Sequence, residues 1–265
     1  MAAEKIVLKN VAPVEKAMGV VLFHGDKGGV GKSIAASAFI DYMIKNNIPV
    51  AAVDGDMRNA DVSRMFSGSI PTKLIEFRTQ NGWMDLMDYA IEQKEKHLVV
   101  SMPAGIGADI ELAASRFVRN MENAERRIYL AWVMSRTLDS VNLLGEALDS
   151  LGGNLHGRVV IKNLFYGSSD SFTRWDSSKL RKTFEASDGI TLEFPELASV
   201  IVDKMNEGKD TLMAFSNAAT KVKNFREYSP ETSPYGFKHS ENQLFCEWLD
   251  EVGIICEQMV KKFGL

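Results

Sequence analysis

The stretch from Val20 to Phe39 limits this chain's fold more than any other. An apolar run, Val20–His24, leads directly into Gly25-Asp26-Lys27-Gly28-Gly29-Val30-Gly31-Lys32-Ser33 and then Ile34-Ala35-Ala36-Ser37-Ala38-Phe39. The first piece suits a buried strand and the last a helix, while the glycines between them permit a tight corner. In such a corner several backbone N–H groups can point at one anion, and the start of the helix adds partial positive charge. Lys32 would then reach the β- and γ-phosphates of a nucleotide, and the Ser33 hydroxyl would ligate Mg²⁺. A corner that merely tightens the turn accounts for the glycines but not for the Lys-Ser pair behind them.

The rest of the chain repeats the strand–helix alternation. Apolar runs at Val50–Asp54, His97–Ser101, Ile128–Met134, Arg158–Leu164 and Ile190–Phe194 alternate with stretches predicted to start helices near Gly31, Trp83, Asp109, Thr137, Ser177 and Pro195. Several runs are apolar throughout, as strands covered on both faces require. The expected fold class is therefore α/β, a doubly wound, mostly parallel sheet flanked by helices. Residues 1–265 are expected to form one domain, with a C-terminal helix over Glu241–Phe263 packed on it. That helix places Leu244, Phe245, Trp248, Leu249, Val252, Ile255, Cys256 and Met259 at three- and four-residue intervals. The segment before it, Tyr228–Ser240, holds Pro230, Pro234 and Gly236 and reads as an exposed loop.

Composition narrows the classes. With 45% hydrophobic and 25% charged residues, the chain matches a globular protein and not a disordered or fibrous one. A net charge of −4 excludes a uniformly basic protein but leaves room for a local basic patch. The only cysteines, Cys246 and Cys256, lie ten positions apart in the last helix, about 15 Å along its axis, too far for a disulfide. No disulfide framework is available, so a reducing cytoplasm is the expected compartment. Residues 1–18 carry Glu4, Lys5, Lys9, Glu15 and Lys16 without a long apolar core, so no secretory signal is expected.

Lys27-Gly28-Gly29-Val30-Gly31-Lys32-Ser33 resembles the deviant Walker A motif KGGxGK[ST] of the ParA/MinD superfamily of P-loop ATPases, within the SIMIBI class of P-loop NTPases. Asp26 stands where the general pattern has its first glycine, as in many members of that superfamily. The resemblance implies that Lys27 reaches across a nucleotide-sandwich homodimer to the partner's phosphates. It implies nucleotide contacts from Lys27, Gly28, Gly29, Val30, Gly31, Lys32, Ser33 and Ile34, with ATP and Mg²⁺ as cofactors. Val50–Asp54 with Gly55 and Asp56 resembles the family's D-x-D segment: Asp56 would orient the attacking water, and Asp54 would lie near the Mg²⁺ shell beside Ser33. Loop aspartates capping the next helix are the plainer alternative for this pair. His97–Ser101 followed by Met102-Pro103-Ala104-Gly105 resembles the Walker B strand and its D-x-P-A-G ending, but Ser101 replaces the aspartate. Without that carboxylate the hold on Mg²⁺ is weaker, so Asp54 compensates or turnover is slow. Asn163, ending its strand, would read the adenine edge, and Pro195 belongs to a segment resembling the loop that closes over the base.

Among relatives, iron–sulfur members need interface cysteines that this chain lacks. The expected function is a ParA-like ATPase, slowly hydrolysing and partner-stimulated, acting as a nucleotide-gated dimerisation switch in plasmid partition, stability or transfer. The alternatives are a degenerate ATP-binding scaffold with little hydrolysis and a MinD-like membrane-positioning ATPase. Lys221, Lys223 and Arg226 are the candidate DNA contacts, and Lys179, Arg181 and Lys182 form a second basic cluster. Taken alone, either cluster is better explained as a solvated helix face. The tail Met259–Leu265 superficially resembles a membrane-binding helix, but Glu247, Asp250, Glu251 and Glu257 before it disfavour anionic lipid. Lys261 and Lys262 complementing the helix dipole are the better account of it.

Overall fold

In the computed structural model of the protein, residues 17–25, 27–105, 107–207, 214–219 and 228–265 are described. Asp26 and the candidate DNA contacts Lys221, Lys223 and Arg226 lie outside them. The strands are β1 (Gly19–His24), β2 (Val50–Asp54), β3 (Thr72–Leu74), β4 (His97–Ser101), β5 (Arg127–Met134), β6 (Gly157–Asn163) and β7 (Ile190–Phe194). They form a seven-stranded sheet in the order β3-β2-β4-β1-β5-β6-β7. Every described pairing is parallel, so all the strand C-termini emerge at one edge of the sheet.

Helices cover both faces. They are α1 (Lys32–Lys45), α2 (Asp61–Phe66), α3 (Gln80–Glu92), α4 (Gly107–Asn123), α5 (Leu138–Leu151), α6 (Thr173–Asp176), α7 (Lys179–Ala186), α8 (Ser199–Glu207), α9 (Phe215–Ala218) and α10 (His239–Phe263). Strand alternation sorts the core. Val21, Phe23, Ala52, Val99, Ala131 and Ile161 face the side of α1 and α10, and Val20, Leu22, Val53, Val100, Leu130 and Val160 face the side of α3, α4 and α5. Helix α1 is alanine-rich because the sheet, α2, α9 and α10 all crowd it, and Ala35, Ala36 and Ala38 let them approach.

Several expectations change. Strand β3 and helices α2, α6 and α9 are additional elements, all too short to leave a periodic signal. Residues 228–240 are exposed only in part: Pro230, Pro234 and Gly236 are exposed, but Ser233, Tyr235 and Phe237 are buried, and Phe237 stacks edge-on against Phe245 of α10. Proline and glycine correctly marked the turns there, but turn chemistry carries no information about burial. On α10 the buried stripe is Phe245, Trp248, Val252, Cys256, Met259 and Phe263, while Leu244 is exposed.

Two buried polar groups hold distant elements together. The Arg126 guanidinium donates to the carbonyls of Ala90, Gln93, Gly19 and Lys96, pinning the end of α3 to β1 and to the entry of β4. Burial lowers its pKa to about 10, so it stays charged at neutral pH with carbonyl dipoles as its partners. On the other face, Asp41 of α1 accepts from the Ser216 N–H and hydroxyl of α9.

Candidate nucleotide site

In a parallel sheet a ligand crevice opens at the C-terminal edge where neighbouring strands carry their connections to opposite faces. Here β1 sits between β4 and β5, and the segment after it is the glycine-rich one. Gly29 (φ 78°) and Gly31 (φ 98°) take left-handed backbone, which a side chain resists and which lets the loop curl over the end of β1. Gly31 is the N-cap of α1. No side chain caps it, and the first turn of α1 carries no acidic residue. The first-turn N–H groups of a helix have no intrahelical acceptor, so this end can receive an anion. A methyl group on Gly31 would also sit 2.4 Å from Asn163 Nδ2, so glycine is required there for space as well.

The loop is braced from outside. Asn163, buried at the end of β6, donates from Nδ2 to Val30 O (2.9 Å) and accepts at Oδ1 from the Phe165 N–H (3.1 Å). Tyr166 donates its hydroxyl to Gly29 O (2.8 Å). Lys32 is buried, and its Nζ donates to Lys27 O (2.9 Å) across the turn. Beside it, His24 is held down to about pKa 3, first by burial and then by the Lys32 charge, so it is neutral and does not oppose that lysine. Its ring packs edge-on to Trp132. Lys27 projects outward, and its Nζ pairs with Asp139 Oδ2 at the start of α5 (2.8 Å). Both side chains are 60% exposed, so the pair is weakly held and readily exchanged.

The carboxylates stand on the β2 side of the loop. Asp54 is fully buried, and its oxygens accept from the N–H groups of Asp56 and Ser63 (both 3.0 Å). Burial raises its pKa, opposed by those two donors. Asp54 lies directly across from Ser101 in the β2–β4 register, and the alternation of both strands turns the pair toward α1. A carboxylate therefore stands one strand away from where the resemblance expects one. Asp56, half-buried, accepts at Oδ1 from Arg58 N and Asn59 N (both 3.0 Å), which fixes the turn and leaves Oδ2 for another donor. Ser33 and Ile34 are half-buried in the first turn of α1, and Gly28 is exposed on the loop. Pro195 follows β7, with its carbonyl accepting from Trp248 Nε1.

An uncapped helix start, a two-glycine curl, a buried lysine, a serine on the first turn of α1 and a buried aspartate at the end of β2 fit a nucleotide phosphate with Mg²⁺. No group of three or more metal-ligating side chains occurs among the described residues, so any metal here must complete its shell with phosphate and water. Sequence reasoning missed Asp139 and Tyr166, which lie 112 and 137 positions from their partners. The signal available was their place just after strand C-termini, where a doubly wound fold gathers its site. Among the described residues no helix is long and apolar enough to cross a membrane.

No family model matches the chain. Protein MobD of Acidithiobacillus ferrooxidans is 28% identical over 188 residues, covering 71% of this chain and 82% of MobD. Among solved structures, the cell division ATPase MinD of Pyrococcus furiosus aligns with a TM-score of 0.48 and 16% identity, over 89% of this chain and 99% of MinD. A nucleotide-binding protein of Archaeoglobus fulgidus in complex with ADP aligns at 0.45 and 13%, over 72% and 87% of the two chains. Chloroplast FtsY of Physcomitrella patens aligns at 0.45 and 15%, over 88% and 65%. The chain is an α/β protein whose parallel sheet carries a phosphate-loop turn after its central strand.

Proposed function

We propose that the chain binds ATP with Mg²⁺ and works as a ParA-like ATPase, a nucleotide-gated dimerisation switch in plasmid partition, stability or transfer. The observation that carries this reading is the uncapped α1 N-terminus beneath the Gly29–Gly31 curl, with Lys32 buried beside it. In this reading the loop N–H groups and Lys32 hold the phosphates, Ser33 and Asp54 orient the metal shell, and Asp56 Oδ2 holds a water in line. Lys27 leaves Asp139 and reaches a second subunit's phosphates. Tyr166 and Asn163 keep the loop curled while ligand exchanges.

Lys32→Ala is expected to abolish binding of a fluorescent ATP analogue. Asp56→Ala is expected to retain binding and lose turnover. Lys27→Ala is expected to bind ATP as a monomer, read by light scattering. Wild-type turnover no faster than that of Lys32→Ala would overturn hydrolysis. Ser101 in the Walker B place favours a second reading, an ATP-binding scaffold with little turnover, which keeps ATP-dependent dimerisation without phosphate release. As for the matrix, Arg181 is engaged by Asp176 and Glu185, so that basic cluster offers less free charge than its sequence suggests. DNA as the matrix predicts ATP-dependent retention on duplex DNA that falls as salt rises. Retention on anionic vesicles instead would favour the membrane alternative. A cytoplasmic location and a stimulating partner protein belong to the same proposal.

A further inference from the structure

Away from the glycine loop, a cavity of about 350 Å³ opens between α3 and α4. Its floor is Phe77, Trp83, Met84 and Met87, and its lining includes the guanidinium-bearing Arg78 and Arg116. Among the described residues that line it, no side chain is acidic. Of the carboxylates next to lining residues in sequence, Glu76 is turned back onto the Arg78 N–H and Asp85 pairs with Lys73, while Asp88 is not among the lining residues. Thr79 caps α3 through the Gly82 N–H, so the positive end of a 13-residue helix also borders the cavity.

A second observation points to a ligand. Trp132, Trp175 and Trp248 each donate their indole N–H, to Ser140 O, Thr191 Oγ1 and Pro195 O. Trp83 does not: it is 5% exposed, lines the cavity, and its Nε1 has no acceptor among the described residues. A buried indole N–H ordinarily finds a partner. An oxygen entering this cavity would supply one, and aromatic and methionine side chains would cover whatever apolar group carries it.

We infer that this cavity is a second ligand site, distinct from the glycine loop, for a small amphipathic carboxylate. Its apolar body packs on Phe77, Met87 and the Trp83 ring, one carboxylate oxygen accepts from Trp83 Nε1, and the other meets Arg116 and Arg78. Planar guanidinium and carboxylate groups match in a forked pair, which favours a carboxylate held at the rim over a neutral polar group. Arg78 Nη2 also donates to Ala104 O (2.9 Å), so the site adjoins the loop that follows Ser101.

The test uses phenylacetate as probe on the full chain, followed by calorimetry and by the indole N–H signals of the ¹⁵N-labelled protein. The Trp83 signal is the one lost in Trp83→Phe. Phenylacetate is expected to move that signal and leave the other three tryptophan signals in place. Arg116→Gln and Arg78→Gln, both changes at exposed residues, are each expected to weaken binding about tenfold or more. Phenylacetamide and inorganic phosphate are expected to bind at least about tenfold more weakly, since each lacks one half of the match. Lys32→Ala is expected to bind phenylacetate as wild type does, which separates this site from the nucleotide reading. An unmoved Trp83 signal at millimolar phenylacetate, unchanged affinity in both arginine variants, or equal binding of the amide would overturn the inference.

Discussion

Gly31 does two jobs with one missing atom. Its φ of 98° belongs to backbone that L side chains resist, and a methyl group there would meet Asn163 Nδ2 at 2.4 Å. Gly28, three positions earlier, has ordinary φ and open space where its Cβ would be. The two glycines look alike in the motif and differ in the fold. Gly31→Ala is expected to lower stability by about 1–3 kcal/mol, and Gly28→Ala to leave it within about 0.5 kcal/mol, both read from urea denaturation of the ligand-free protein. Equal losses would mean that the curl is not held where Asn163 and Tyr166 hold it. The sequence pointed to the loop residues themselves. It did not reveal the braces Tyr166 and Asp139, and it pointed to Asn163 as a contact to the base and not as a brace, because all three reach the loop only through strand order.

At the scale of elements, α10 shows how a long helix is phased and started. Its buried residues recur at three- and four-residue steps from Phe245 to Phe263, and Phe263 packs on Tyr129 of β5. At its start, the Glu241 carboxylate accepts from the Lys238 N–H and from Lys204 Nζ of α8, joining two helices through one side chain. The Lys204 bond first, then the Lys238 N–H, lowers the Glu241 pKa below its ordinary value. A carboxylate with a lowered folded pKa adds stability above its unfolded value, near 4.5, and that stability fades as pH falls through the folded value. Glu241→Gln is expected to cost about 1 kcal/mol at neutral pH. The gap between the variant and wild type should close as pH falls below the unfolded value and through the folded one, as measured by denaturation across pH. A gap that persists in acid would mean that packing, and not charge, is what Glu241 contributes. The helix itself was legible from its period, and its junction with α8 was not, since Lys204 is 37 positions away.

For the whole molecule, the buried Arg126 links layers that the sheet alone does not join. It satisfies carbonyls from β1, from the C-terminal end of α3 and from the turn before β4. Arg126→Met fills similar space but leaves those acceptors buried without donors, and is expected to cost about 3 kcal/mol or more. Arg126→Lys, with a single ammonium, is expected to recover only part of that loss. Chemical denaturation of both variants checks the ranking, and a neutral Arg126→Met would mean that water serves those carbonyls. In sequence, Arg126 is one charge beside Arg127 at the start of an apolar run, and nothing in that pattern says which of the two is buried. By itself the sequence determined the α/β alternation, most of the strands and the place of the phosphate-loop turn, because apolar period and glycine–lysine spacing are local properties of the chain. Tertiary structure alone decided that the strands are all parallel, that Asp54 stands across from Ser101, that Lys27 meets Asp139, and that residues 228–240 are packed in part. Each of these depends on which strand neighbours which, and strand order is set by how whole layers bury one another, not by any short run of residues.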